Sequence, residues 1–277
     1  MNNFNPYNTR FCKTNALGMA RAAELAYEDR EIVKEKVTQW GFEKFEFFDS
    51  NETQAFIAGK EDMILVSFRG TEPKKVQDLF TDAQLFKAPG PGGRVHFGFL
   101  KAVEHVMEGV HWKIKEFKDF FIQRLGDDHS KLPPALWFTG HSLGAALATL
   151  AVAKLRIDKD HQEEPIHGLY TFGSPRVGNP DFADKFNSNF KDHSYRVVHN
   201  NDVVTRVPLR AHSYRHVGQF WYLDTDGELA NDPGWWSLKL DRIKGRIEDL
   251  GKIGPDGLKD HSMKHYINKL EGLVEKK

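Results

Sequence analysis

The stretch Trp137-Phe138-Thr139-Gly140-His141-Ser142-Leu143-Gly144-Ala145-Ala146-Leu147-Ala148 constrains the fold more than any other part of the chain. It reads as a short apolar strand running into a helix of small residues, with Ser142 at the corner. A turn this sharp needs little bulk beside the serine, which Gly140 and Gly144 supply, and Ala145, Ala146 and Ala148 let the helix lie close to a sheet. Such a nucleophile elbow leaves Ser142 standing above the sheet edge. It also turns the Leu143 N–H, in the unpaired first turn of the helix, toward negative charge developing on a substrate oxygen. The pentapeptide is short enough to arise by chance, so the flanking strand and helix patterns carry the reading.

The rest of the chain supplies the elements such an elbow needs. Apolar spacing predicts helices over residues 15–28 and 30–39, then a hairpin of Gln54 to Gly59 and Met63 to Phe68 around the polar turn Lys60-Glu61-Asp62. The cluster Pro89-Gly90-Pro91-Gly92-Gly93 reads as an exposed loop, followed by a long helix from Gly98 to Arg124 that ends at Gly126. Beyond the elbow come β-rich runs at Ile166 to Phe172 and Tyr195 to His199, with a helix over Asn179 to Asn189 between them, and a final strand at Val217 to Leu223. Trp236, Leu240, Ile243, Ile247 and Leu250 share one helical face, and a last helix runs from about Leu258 to Val274. Alternating strands and helices imply an α/β fold with a mostly parallel central sheet covered on both faces. No linker, repeat or low-complexity tract interrupts the 277 residues, so we expect a single domain over 1–277.

Composition excludes several functions. With 39 basic and 39 acidic residues, no net field draws the chain to nucleic acid or anionic membranes. A single cysteine, Cys12, rules out an internal disulfide and cysteine-based zinc clusters. No run approaches 18 uninterrupted apolar residues, and Met1 to Pro6 has neither the basic nor the apolar part of a signal peptide, so we expect a soluble protein, cytoplasmic or secreted with its signal removed.

An elbow serine needs a base to take its proton, and the base needs an acid to fix its tautomer. Asp202 is the best placed acid: Tyr195 to His199 is a strand, Asn200-Asn201-Asp202 is the loop that leaves it, and sites in open α/β sheets form at such ends. An ordinary turn-forming aspartate is the alternative. Of the histidines beyond it, His212 and His216 read as loop and strand residues. His261 enters the last helix, where its ring can swing toward the serine, and it is favoured over His265, one turn further along the helix surface. His141 points away from the serine by elbow geometry and is left out of the triad.

Several stretches together resemble the class 3 lipases, typified by filamentous-fungal triacylglycerol lipases. They are Phe68-Arg69-Gly70-Thr71, Val95-His96-Phe97-Gly98-Phe99, Gly140 to Gly144, Phe172-Gly173-Ser174-Pro175-Arg176-Val177-Gly178-Asn179, Asn201-Asp202 and Asp260-His261. The resemblance implies an α/β-hydrolase fold and carries a triad onto Ser142, Asp202 and His261. It implies an oxyanion hole of Thr71 and the Leu143 N–H, and acyl contacts at Val204 and Val207. It makes residues 72–87 a short helical lid with Val76, Leu79 and Phe80 on its apolar face, whose opening at a lipid surface is weighed against a fixed connecting helix. Many relatives carry tryptophan where Leu79 stands.

The expected activity is triacylglycerol lipase, hydrolysing carboxylic esters of lipids through an acyl-enzyme, with no metal or organic cofactor. Phospholipase A1 and feruloyl-type or short-chain esterases share the fold and triad. A non-catalytic lipase-like binding or signalling protein is the alternative from another class, although degenerate triads would be its mark. The expected partner is a lipid ester, met at a lipid–water interface, and nothing in the sequence fixes an oligomeric state.

Overall fold

The computed structural model describes residues 1, 3–71, 86–126, 130–157, 165–200, 202–224, 226–232 and 260–276. Among these an eight-stranded sheet runs in the order β1 (Lys44–Ser50), β2 (Thr53–Lys60), β3 (Met63–Phe68), β6 (Ala135–His141), β7 (Ile166–Phe172), β8 (Ser194–His199), β9 (Gln219–Leu223) and β10 (Leu229–Asn231). The pairings from β3 through β9 are parallel, and antiparallel strands finish both edges. A separate hairpin joins β4 (Lys87–Gly90) to β5 (Gly93–His96).

Strand alternation divides the core in two, because successive side chains point to opposite faces. Ile64, Val66, Leu136 and Phe138 face α3 (Phe97–Leu125), α4 (Leu143–Ile157) and α5 (Pro180–Phe190). Met63, Leu65, Ala135 and Trp137 face α1 (Lys13–Leu25), α2 (Arg30–Gln39) and α6 (Met263–Glu275). Hydroxyls on these covered strands still need acceptors. Ser67 donates to the Ala22 carbonyl, and Thr139 to those of Met19 and Tyr170. The N-terminal residues strap the same face: Trp137 Nε1 donates to the Pro6 carbonyl, and Phe11 stacks on Trp221 at 3.6 Å.

The expected hairpin, long helix, elbow strand and later strands are present. The first helix stops at Leu25 rather than 28, and the last predicted strand, β9, is followed by a short antiparallel partner, β10. Two features differ more. The edge strand β1 is absent from the sequence reading, because its phenylalanines are only half-buried and give no clean alternation. The segment expected to be an exposed loop at 89–93 is instead the β4–β5 hairpin, turning at Pro91-Gly92 with Gly92 at φ +74°. Proline followed by a positive-φ glycine is a turn signal that closes a ladder as readily as it opens a loop. The last helix begins at Met263, and the predicted helix at 236–250 lies outside the described residues. No helix among the described residues is long and apolar enough to cross a membrane.

Phe138 is fully buried in the central strand. Truncating it to alanine removes a large ring from a packed interior and should cost about 3–5 kcal/mol, read as a lowered urea midpoint at unchanged slope.

Candidate active site

Parallel strands bring their C-terminal ends to one edge, and the candidate residues stand there. Gly70 and Thr71 follow β3, Ser142 follows β6, Gly173 follows β7, and Asp202 lies three residues beyond β8. The elbow is built by close backbone approach. A Cβ on Gly144 would overlap the Phe68 carbonyl oxygen, one on Gly140 would overlap the Gly144 backbone, and one on Gly70 would come within 2.5 Å of the His141 carbonyl oxygen. Ser142 itself sits at φ +56°, a left-handed conformation costly for a side chain and typical of strained functional turns. Its N–H donates to the Phe172 carbonyl at 3.0 Å, while its own carbonyl accepts from Ala145 and begins α4.

The structure brings Asp202 and His261 together, both about 1% exposed. His261 Nδ1 lies 3.0 Å from each carboxylate oxygen. Val204 N–H also donates to Asp202 Oδ1 at 3.0 Å, and the Tyr266 hydroxyl donates to Oδ2 at 2.6 Å. Burial works to raise the carboxyl pKa, but the His261 ring and the hydrogen bonds from His261 and Tyr266 outweigh it and hold Asp202 below the ordinary carboxylate value. Gly173 makes room for the pair: at φ +58°, a Cβ there would lie 2.6 Å from Asp202 Oδ2 and 2.8 Å from His261 Nδ1. The outward nitrogen, His261 Nε2, and the Ser142 hydroxyl are both buried and have no hydrogen-bond partner among the described residues, each other included.

The other histidines are placed elsewhere. His212 is exposed, His216 Nε2 meets the Thr205 carbonyl at 2.8 Å, and the exposed His265 lies parallel to His199 with ring centres 5.9 Å apart. Thr71 is half-buried and directly follows Gly70, whose missing side chain abuts Ser142. The Leu143 N–H opens α4 beside the serine. Val204 and Val207 are 2% and 4% exposed, yet belong to neither core cluster. Val76, Leu79 and Phe80 lie outside the described residues.

Sequence reasoning missed three contributors. Tyr266 reads as one more aromatic on the buried face of α6, and Gly173 carries no local signal of its positive φ. His141 does leave the serine free, but its ring is buried 4.3 Å from the ring of His261, 120 residues away in the sequence. Burial and the neighbouring His261 lower the His141 pKa from 6.5 to about 3. Between those values the unfolded chain binds a proton that the folded chain refuses. Stability from this group is therefore full above about pH 6.5 and declines toward pH 3, at up to ~1.4 kcal/mol per pH unit. Denaturant unfolding across that range should show a shallower acid limb in His141→Gln than in the wild type.

Residues 65–212, just over half of the chain, match the class 3 lipase family. The chain is 26% identical to a triacylglycerol lipase of Arabidopsis thaliana over 89% of its own length, and 37% identical to a secreted mono- and diacylglycerol lipase of Fusarium solani over 60%. It spans 62% and 45% of those relatives, respectively. In fold it resembles the Rhizomucor miehei lipase in complex with its propeptide, with a TM-score of 0.60 at 22% identity, covering 79% of this chain and 71% of that one. By its matched segment and its α/β-hydrolase sheet, the chain belongs to the class 3 lipase family.

Proposed function

We propose that this protein is a serine hydrolase of lipid carboxylic esters, with triacylglycerols as its leading substrate. The observation that carries the reading is the buried Asp202–His261 pair on the sheet edge that holds Ser142, with Ser142 Oγ and His261 Nε2 both left free for chemistry. Membership of a lipase family and the acylglycerol lipases among its relatives support the substrate class.

The roles follow from proton accounting. Ser142 Oγ attacks the ester carbonyl carbon as its proton passes to His261 Nε2, which later delivers it to the departing alcohol. Asp202, kept ionised, holds Nδ1–H and faces the imidazolium that forms. The Leu143 N–H and Thr71 take the oxyanion, water then cleaves the acyl-enzyme, and the steps reverse. Val204 and Val207, buried outside both cores, border the acyl chain.

Ser142→Ala should lower hydrolysis of nitrophenyl esters by on the order of 10⁴-fold or more with the fold intact by circular dichroism; unchanged turnover would sink the mechanism. Thr71→Ala, losing one oxyanion donor, should lower kcat by about 10²–10³-fold. Rates on tributyrin, emulsified triolein, phosphatidylcholine and methyl ferulate decide the substrate. The two triacylglycerols should be fastest, and a clear preference for phosphatidylcholine or the ferulate would overturn the choice.

A further inference from the structure

His141 is a buried histidine that the reaction as drawn does not use. Its Nε2 lies 2.7 Å from the His261 carbonyl oxygen, and its Nδ1 lies 2.7 Å from the Tyr27 hydroxyl. A carbonyl can only accept, so Nε2 carries the hydrogen. In a neutral ring Nδ1 then accepts, and the partner with a proton to give is Tyr27. The hydrogen bonds therefore run in one direction, from the phenol beyond α1, through the elbow imidazole, to the main chain of the candidate base.

We propose that Tyr27 and His141 form a positioning relay that grips the backbone of His261 and so aims its Nε2 at Ser142. His261 belongs to a short segment ahead of α6 that Asp260 ties to His199 and Asn200, while the His261 ring itself is fixed only at Nδ1 by Asp202. Rotation about the Nδ1 contact would still swing Nε2. A second anchor, on the His261 carbonyl, removes that freedom, and errors near 1 Å in such geometry cost about 100-fold in rate. The space is shaped for the relay: a side chain on Gly70 would overlap the Tyr27 hydroxyl. The groups facing His141 are Tyr27 from beyond α1, His261 and Tyr266 from the C-terminal segment, and Asp202 from the loop after β8. Burial keeps the ring neutral, as the hydrogen-bond direction requires, and raises the Tyr27 phenol pKa so that it keeps its proton.

The proposal rests on His261 being the general base, so its test includes a measurement that needs no turnover. In Tyr27→Phe, which keeps the ring and loses the hydroxyl, kcat on a soluble nitrophenyl ester should fall about 10- to 100-fold with KM within about twofold. The far-downfield proton resonance of His261 Nδ1 should shift or broaden. His141→Leu should behave alike, whereas His141→Gln, whose amide can still donate to the His261 carbonyl, should recover much of the loss. A folded Tyr27→Phe with unchanged kcat and an unmoved resonance would overturn the relay, as would equal losses in the Leu and Gln variants. If the wild type hydrolyses no ester, the functional reading fails, and the resonance comparison still decides whether Tyr27 and His141 set the Asp202–His261 bond.

Discussion

The whole site depends on backbone touching backbone at the ends of two neighbouring strands. β3 and the start of α4 meet where Gly144 lies against Phe68 and Arg69, and β6 folds back on α4 where Gly140 lies against Gly144. Any Cβ at these positions would force the strands or the helix apart. The spacing of Ser142 from Thr71, and of both from the first N–H groups of α4, is thus set by the absence of side chains. Covalent geometry fixes it more firmly than packed side chains could, since a rotamer can relax and a missing Cβ cannot.

Around that rigid corner the structure buries charge, which is costly unless every lone pair is answered. Asp202 is answered from three directions: its own loop through the Val204 N–H, the segment ahead of α6 through His261, and α6 itself through Tyr266. Its main chain is tied as well, with its N–H on the His199 carbonyl and its carbonyl accepting from Thr205 at 2.8 Å. Such a carboxylate has few ways to move, so the histidine it holds inherits its order. Tyr266 serves twice, accepting from the His199 N–H at 3.0 Å while it donates to Asp202. This couples the end of β8 to the last helix.

Much of this was legible in the sequence, and the parts that were not share a physical reason. Ser142, Asp202 and His261 could be read because each occupies a position defined by a strand end or helix start, and such boundaries leave patterns of glycine, small residues and alternation. The long helix ending at Gly126 was readable on the same grounds, its cap at φ +56°. Tyr266, Tyr27 and His141 act through contacts across the sheet edge, and no local pattern separates an aromatic that packs from one that also donates a hydrogen bond. β1 escaped because an edge strand is half-covered and need not alternate. The 89–93 segment escaped because the residues that allow a loop are also those that turn a hairpin. The two differ in whether the backbone on either side of the turn pairs into a ladder, which the turn residues themselves do not decide.

Two histidines stand with ring centres 4.3 Å apart, in different environments. His261 meets the Asp202 carboxylate at Nδ1. His141 meets a phenol and a carbonyl, neither of which compensates a positive charge as a carboxylate does, and burial lowers its pKa to about 3. If His141 were charged, its field would oppose the imidazolium on its neighbour and undo part of what Asp202 supplies. A neutral His141 presents only a directed N–H, spent on the main chain of His261, and leaves the local field to the carboxylate. The residue beside the elbow serine can therefore be a histidine that stays neutral, provided that it stays dry.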